Sequence, residues 1–152
     1  MNKRVLLVDD EPDLNLTIKM VLEQNGFKVD SFTDPLSALE NFKGESAGMY
    51  ELLILDMKMP GINGFELYRQ IKKIDDKVKV CFLTASELYY EQFRKELFPA
   101  LDNNCYIQKP IENEMLIKRL NRILSANNDN NNKHGNRKRN YSQPSGKRET
   151  LA

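Results

Sequence analysis

The chain has 152 residues, 40% hydrophobic and 30% charged, which fits one globular domain with a real core and excludes a fibrous or wholly disordered protein. Its formal net charge of +1 divides unevenly: residues 1–124 hold 17 Lys and Arg against 20 Asp and Glu, whereas residues 125–152 hold 6 against 2. The two cysteines, Cys81 and Cys105, lie in apolar runs, which suggests reduced thiols in a cytoplasmic protein rather than a disulfide scaffold. The N-terminal apolar run is broken at once by Asp9, Asp10 and Glu11, so it reads as neither a signal peptide nor a membrane span.

Short apolar runs alternate with helical patterns along the chain. Val5-Leu6-Leu7-Val8 reads as a strand buried on both faces. Pro12 follows at a first-turn position, then Leu14, Ile18, Val21 and Leu22 at helical spacing, with Gly26 as a stop. A weaker strand covers about Lys28 to Phe32, and Asp34-Pro35 opens a helix with Leu36, Leu39 and Phe42 on one face. Leu52-Leu53-Ile54-Leu55 is the third strand; the loop Pro60-Gly61-Ile62-Asn63-Gly64 leads to a helix carrying Phe65, Tyr68 and Ile71. Val80 to Leu83 is the fourth strand, and a long helix spans roughly Glu87 to Phe98. Cys105-Tyr106-Ile107 is the fifth strand, and Leu116, Leu120, Ile123 and Leu124 mark a last amphipathic helix.

Five strand–helix alternations predict an α/β domain over residues 3–124, a doubly wound parallel sheet with helices on both faces. From about Ala126 the Asn-rich, basic character predicts a disordered tail over 125–152. That tail carries Lys133, His134, Arg137, Lys138, Arg139, Lys147 and Arg148, a set able to attract polyanions. It lacks a groove-reading fold, so no nucleic-acid partner is expected beyond weak tail contact. His134 is the only histidine, which excludes histidine-based metal or triad chemistry in the domain.

In a parallel sheet, residues just past each strand gather along one edge, where open α/β sheets bind ligands. Asp9 and Asp10 follow the first strand, Asp56 ends the third, Thr84 ends the fourth and Lys109 follows the fifth. Three crowded carboxylates favour raised pKa values or a bound cation, and oxygen-only ligands suit Mg²⁺. A hydroxyl and an ammonium beside them suit the remaining oxygens of a phosphoryl group. Taken singly, each has an ordinary reading: a solvated turn for Asp9-Asp10-Glu11, a strand-end threonine, a core aromatic at Tyr106.

The motifs Val8-Asp9-Asp10-Glu11, Asp56-Met57-Lys58-Met59-Pro60-Gly61-Ile62-Asn63-Gly64, Thr84-Ala85 and Lys109-Pro110, in that order and spacing, resemble the receiver domains of two-component response regulators over about residues 3–124. The resemblance implies a flavodoxin-like (βα)5 fold with strand order 2-1-3-4-5. It implies that Asp56 is the phosphoryl acceptor and that Asp10, the Asp56 carboxylate and the Lys58 backbone carbonyl ligate Mg²⁺, with Asp9 acting largely through water. Thr84 and Lys109 would bind phosphoryl oxygens, the Lys109-Pro110 bond would be cis, and Tyr106 would be the aromatic switch. The protein would then be a signalling switch rather than an enzyme on free substrates, phosphorylated by a histidine kinase, phosphotransfer protein or small phosphodonor. Its output would be the surface of the fourth helix, fifth strand and fifth helix.

The stretch from Thr84 to Lys109 departs from that pattern. It is longer than typical, Leu101-Asp102-Asn103-Asn104-Cys105 replaces the usual Gly-Ala before the last strand, and Tyr89, Tyr90, Phe93, Leu97 and Phe98 make its helix aromatic. Such a stripe serves as core or as a partner surface. A haloacid-dehalogenase-type phosphatase is the rival reading, but it needs a second aspartate two positions after the nucleophile, where this chain has Lys58.

Overall fold

The computed structural model describes residues 3–45 and 48–136, with side-chain environments as far as residue 125. Among the described residues ten elements alternate: β1 (Arg4–Val8), α1 (Pro12–Gln24), β2 (Lys28–Phe32), α2 (Pro35–Lys43), β3 (Leu52–Asp56), α3 (Gly64–Lys72), β4 (Lys79–Thr84), α4 (Glu87–Leu97), β5 (Tyr106–Gln108) and α5 (Asn113–Asn136). The strands form one parallel sheet in the order β2-β1-β3-β4-β5.

The continuous apolar strands are buried on both sides because successive side chains enter opposite core layers. Leu6 and Val8 join Leu53, Leu55, Val80 and Phe82 in the layer covered by α2, α3 and α4. Val5 and Leu7 join Leu52, Ile54, Cys81 and Leu83 in the layer under α1 and α5. Both cysteines are buried free thiols.

Local chemistry sets the helix ends as the sequence predicts. Pro12 opens α1 and Pro35 opens α2, where the Asp34 carboxylate accepts from the Ser37 N–H at 3.1 Å. After α1 the chain turns at Gly26, whose φ of +91° lies in the left-handed region that glycine enters without strain. The aromatic stripe after β4 divides: Tyr90 is fully buried, Tyr89, Phe93 and Phe98 pack half-buried against the core with the Phe93 and Phe98 rings 5.8 and 5.9 Å from Phe65, and Leu97 is exposed.

The α5 helix extends beyond the sequence-based expectation, running through residue 136 rather than ending near Leu124. The first part of the expected disordered tail is therefore helical. Once the packed segment up to Leu124 has nucleated α5, each further turn costs little, and no proline intervenes before Pro144. The rest of that tail, 137–152, lies outside the described residues. Among the described residues no helix is long and apolar enough to cross a membrane.

Candidate phosphoacceptor site

The chain runs from β1 outward to β2 and then returns across β1 to β3, so strand order reverses between β1 and β3. A ligand crevice is expected at the carboxyl ends of these two strands. Parallel register sets Val8 beside Leu55, and the residues that follow, Asp9 and Asp56, therefore emerge together. Carboxylate oxygens of Asp9, Asp10 and Asp56 all lie within 4.8 Å of one another.

Lys109 reaches this group from just past the end of β5, and its peptide bond to Pro110 is cis. Its Nζ stands 3.3 Å from Asp9 Oδ2, 3.4 Å from Asp56 Oδ1 and 3.0 Å from Glu11 Oε1. Burial works against the ammonium, yet Glu11, Asp9 and Asp56 together hold its pKa above the ordinary lysine value. Burial and the Asp9 charge drive Asp56 well above the usual carboxylate range, with Lys109 pulling the other way. Asp9 is also raised, chiefly by burial. One cation beside a buried acidic cluster leaves a surplus of negative charge, and such a cluster favours protonation or a second cation.

Asp9 has acceptor capacity for such a cation. Its Oδ1 accepts from the Glu11 N–H at 2.9 Å, while its fully buried Oδ2 has no hydrogen-bond partner and only faces Lys109 without bonding geometry. A buried carboxylate oxygen whose one partner is a shared ammonium keeps acceptor capacity, and oxygen ligands of this kind match a hard divalent ion such as Mg²⁺.

Thr84 ends β4 and lines the same cleft, of about 360 Å³, with Asp10, Asp56, Lys58, Tyr89 and Lys109. Its hydroxyl donates to the Ser86 carbonyl at 3.0 Å and accepts from the Ser86 N–H at 3.1 Å. Ser86 also caps α4, its Oγ accepting from the Tyr89 N–H at 3.2 Å. Thr84 is thus tied to the start of α4 rather than turned toward Asp56. The exposed Lys58 ammonium lies over the Tyr89 ring, 4.7 Å from its centroid. Tyr106 is half-buried against Tyr90, ring centroids 4.6 Å apart, one element away from the cleft.

Three supporting residues escape a linear reading. Asn15 is buried in α1, where its Nδ2 donates to the Asp9 carbonyl at 3.0 Å and the Phe32 carbonyl at 2.8 Å, fixing the β1–α1 turn to the end of β2. A lone Asn on the apolar face of the first helix is the signal that could have found it. Glu11 reads in the sequence only as part of the acidic motif, yet its carboxylate pairs with Lys109 at 3.0 Å. Gly64 packs so tightly that a Cβ there would collide with the Asp56 carbonyl oxygen.

Residues 5–121 match the family described as response regulator receiver domain. The chain belongs to the response-regulator receiver family. Sporulation initiation phosphotransferase F of Bacillus subtilis is 34% identical over 98 residues, 64% of this chain and 77% of that protein. The transcriptional regulatory protein TrcR of Mycobacterium tuberculosis is 34% identical over 80% of this chain but only 45% of its own length. The receiver spans about half of several such regulators. The response regulator TrrA of Thermotoga maritima, solved in complex with Mg²⁺ and BeF, superposes with a TM-score of 0.64 at 30% identity, covering 80% of this chain and 98% of that one. Chemotaxis protein CheY4 of Vibrio cholerae, at 24% identity and a TM-score of 0.70 over 81% of this receiver and 99% of its own chain, shares the fold.

Proposed function

We propose that this receiver is a phosphorylation-dependent switch in which Asp56 accepts a phosphoryl group with the help of Mg²⁺. The observation that carries this reading is the clustering of Asp9, Asp10 and Asp56 carboxylate oxygens within 4.8 Å of one another, with the Lys109 ammonium 3.3 Å from Asp9 and 3.4 Å from Asp56. Asp9, Asp10, Asp56 and the Lys58 carbonyl would hold the ion. When bound, Mg²⁺ supplies positive charge shared with the phosphoryl oxygens.

An Asp56 carboxylate oxygen attacks phosphorus in line. The new O–P bond forms as the bond to the donor's leaving group breaks, and that group departs with the electron pair. Lys109 neutralises charge on the transferring oxygens, so the chain contributes chiefly positioning and electrostatics. A histidine kinase, a phosphotransfer protein or a small acyl phosphate serves as donor, which belongs with a cytoplasmic location.

Thr84 responds next. Turning its hydroxyl toward the new phosphoryl oxygen breaks both bonds to Ser86 and frees the cap of α4. Tyr106 moves into the vacated space, and the α4–β5–α5 face changes for a downstream protein partner. The result is a population shift between two surfaces rather than a released product. The Lys58 side chain, lying at the mouth of the cleft, shields the phosphoryl group from water.

The test is labelling by acetyl phosphate with Mg²⁺, read by intact mass. Wild type is expected to gain one phosphoryl group and Asp56→Asn none. Equal labelling of both proteins would refute the assignment.

A further inference from the structure

At the amino ends of β4 and β5, away from the acidic rim, Ala100, Leu101, Asp102, Asn104 and Cys105 wall a second cleft of about 700 Å³ that also meets Tyr68, Val80 and Ile123. This wall contains the Leu101-Asp102-Asn103-Asn104-Cys105 stretch that departs from the family pattern. Three side chains hold it. The Arg94 guanidinium donates to the Leu101 carbonyl at 2.8 Å, and the Tyr90 hydroxyl donates to the Asp102 carbonyl at 2.9 Å. Arg119 Nη1 donates to the Asn104 carbonyl at 3.0 Å and the Tyr106 carbonyl at 2.8 Å.

Two of these three also contact the Tyr106 ring. Tyr90 packs against it with centroids 4.6 Å apart and planes inclined by 34°, and the Arg119 guanidinium lies over it at 5.5 Å. Tyr90 is itself fully buried, with Phe65 and Phe82 at 6.1 and 6.0 Å. The groups that touch the Tyr106 ring are therefore the groups that hold Asp102 and Asn104. Arg94 makes no such contact and anchors only the Leu101 end.

We propose that Tyr90 and Arg119 are positioning residues of the switch, transmitting the place of the Tyr106 ring to residues 102–105 and so reshaping the cleft at the opposite end of the strands. The inference rests on the reading of Asp56 as acceptor and Tyr106 as switch. When Tyr106 leaves its place, Tyr90 loses a packed ring and Arg119 loses its aromatic partner. Both then shift, and their hydrogen bonds to the wall slacken. Otherwise residues 102–104 are held by local turn bonds, the Asn104 N–H to Asp102 Oδ1 at 2.7 Å and the Cys105 N–H to the Asp102 carbonyl at 3.3 Å, while the Cys105 carbonyl stays tied to β4 by the Phe82 N–H at 2.9 Å. Such a segment opens with little cost to the rest of the fold.

Amide exchange followed by NMR on the full chain, with and without beryllofluoride and Mg²⁺, tests this. In wild type, the Asn104 and Cys105 amides should exchange several-fold faster once beryllofluoride binds, while the Leu101 amide, beside the Arg94 anchor, keeps its rate. In Tyr90→Phe the same two amides should already be fast and change no further, although Tyr106 resonances still respond. Arg119→Met, on a half-exposed flank of α5, reads the same coupling if Tyr90→Phe does not fold. Bound beryllofluoride with no change at Asn104 and Cys105 would overturn the inference alone, as would a wild-type response in either variant. No beryllofluoride binding would overturn the acceptor reading first, and this inference with it.

Discussion

Lys109 is the residue on which the acidic site balances. Its ammonium contacts Asp9, Glu11 and Asp56 at 3.0–3.4 Å, and its side chain is only 19% exposed, so water screens these charges weakly. Lys109→Met keeps the stem and removes the charge. Labelling by acetyl phosphate should slow on the order of 100-fold, the usual cost of losing one preorganised donor to a developing charge. An unchanged rate would remove Lys109 from the chemistry. The strand-end residues Asp9, Asp10, Asp56, Thr84 and Lys109 are legible in the sequence because each follows an apolar run, and parallel strands bring such positions together. Asn15 and Ser86 are less legible. Their roles are hydrogen bonds to backbone atoms of other segments, and side-chain periodicity carries no record of those.

At the scale of elements, α3 is docked by its first residue. Gly64 donates its N–H to the Met57 carbonyl at 3.0 Å, and Asn63 caps the helix by accepting from the Glu66 N–H at 2.8 Å. A Cβ at Gly64 would strike the Asp56 carbonyl and come within 3.0 Å of Met57 Cα, both backbone atoms with little room to give. Gly64→Ala should therefore cost about 1–3 kcal/mol in urea unfolding, as overpacking does, and slow labelling by displacing Asp56. Wild-type stability would show that α3 moves aside freely. The order and type of all ten elements were legible from alternating apolar runs and caps. The length of α5 was not, because Asn-rich composition suggests disorder while a helix nucleated on the core propagates past its last apolar residue. The fifth strand also lies one residue later than expected, at Tyr106–Gln108, where pairing with Phe82–Thr84 rather than apolarity sets its bounds.

Across the whole molecule, polar groups at the two ends of the sheet do different work. At the end away from the site, Arg4 of β1 pairs with Asp30 of β2 at 2.7 Å, and the Tyr50 hydroxyl, just before β3, donates to the same Asp30 oxygen at 2.5 Å. Burial opposes ionisation of Asp30, but the bonds from Tyr50 and Arg4 outweigh it and hold its pKa below the ordinary value. The unfolded chain therefore takes up this proton at a higher pH than the folded chain does. The contribution of Asp30 is complete at neutral pH and is lost as the pH falls below about 4. Urea unfolding across that range should show a shallower acid loss for Asp30→Asn than for wild type, and identical slopes would count against the network. The site end keeps its acidic surplus for a ligand. The most direct test of that claim is to phosphorylate the protein with acetyl phosphate and Mg²⁺, reduce it with borohydride and sequence the peptides by mass spectrometry. Reduction converts a phosphorylated aspartate to homoserine, which is predicted at position 56 and nowhere else. Homoserine at Asp9, Asp10 or another aspartate, or none at all, would contradict the account.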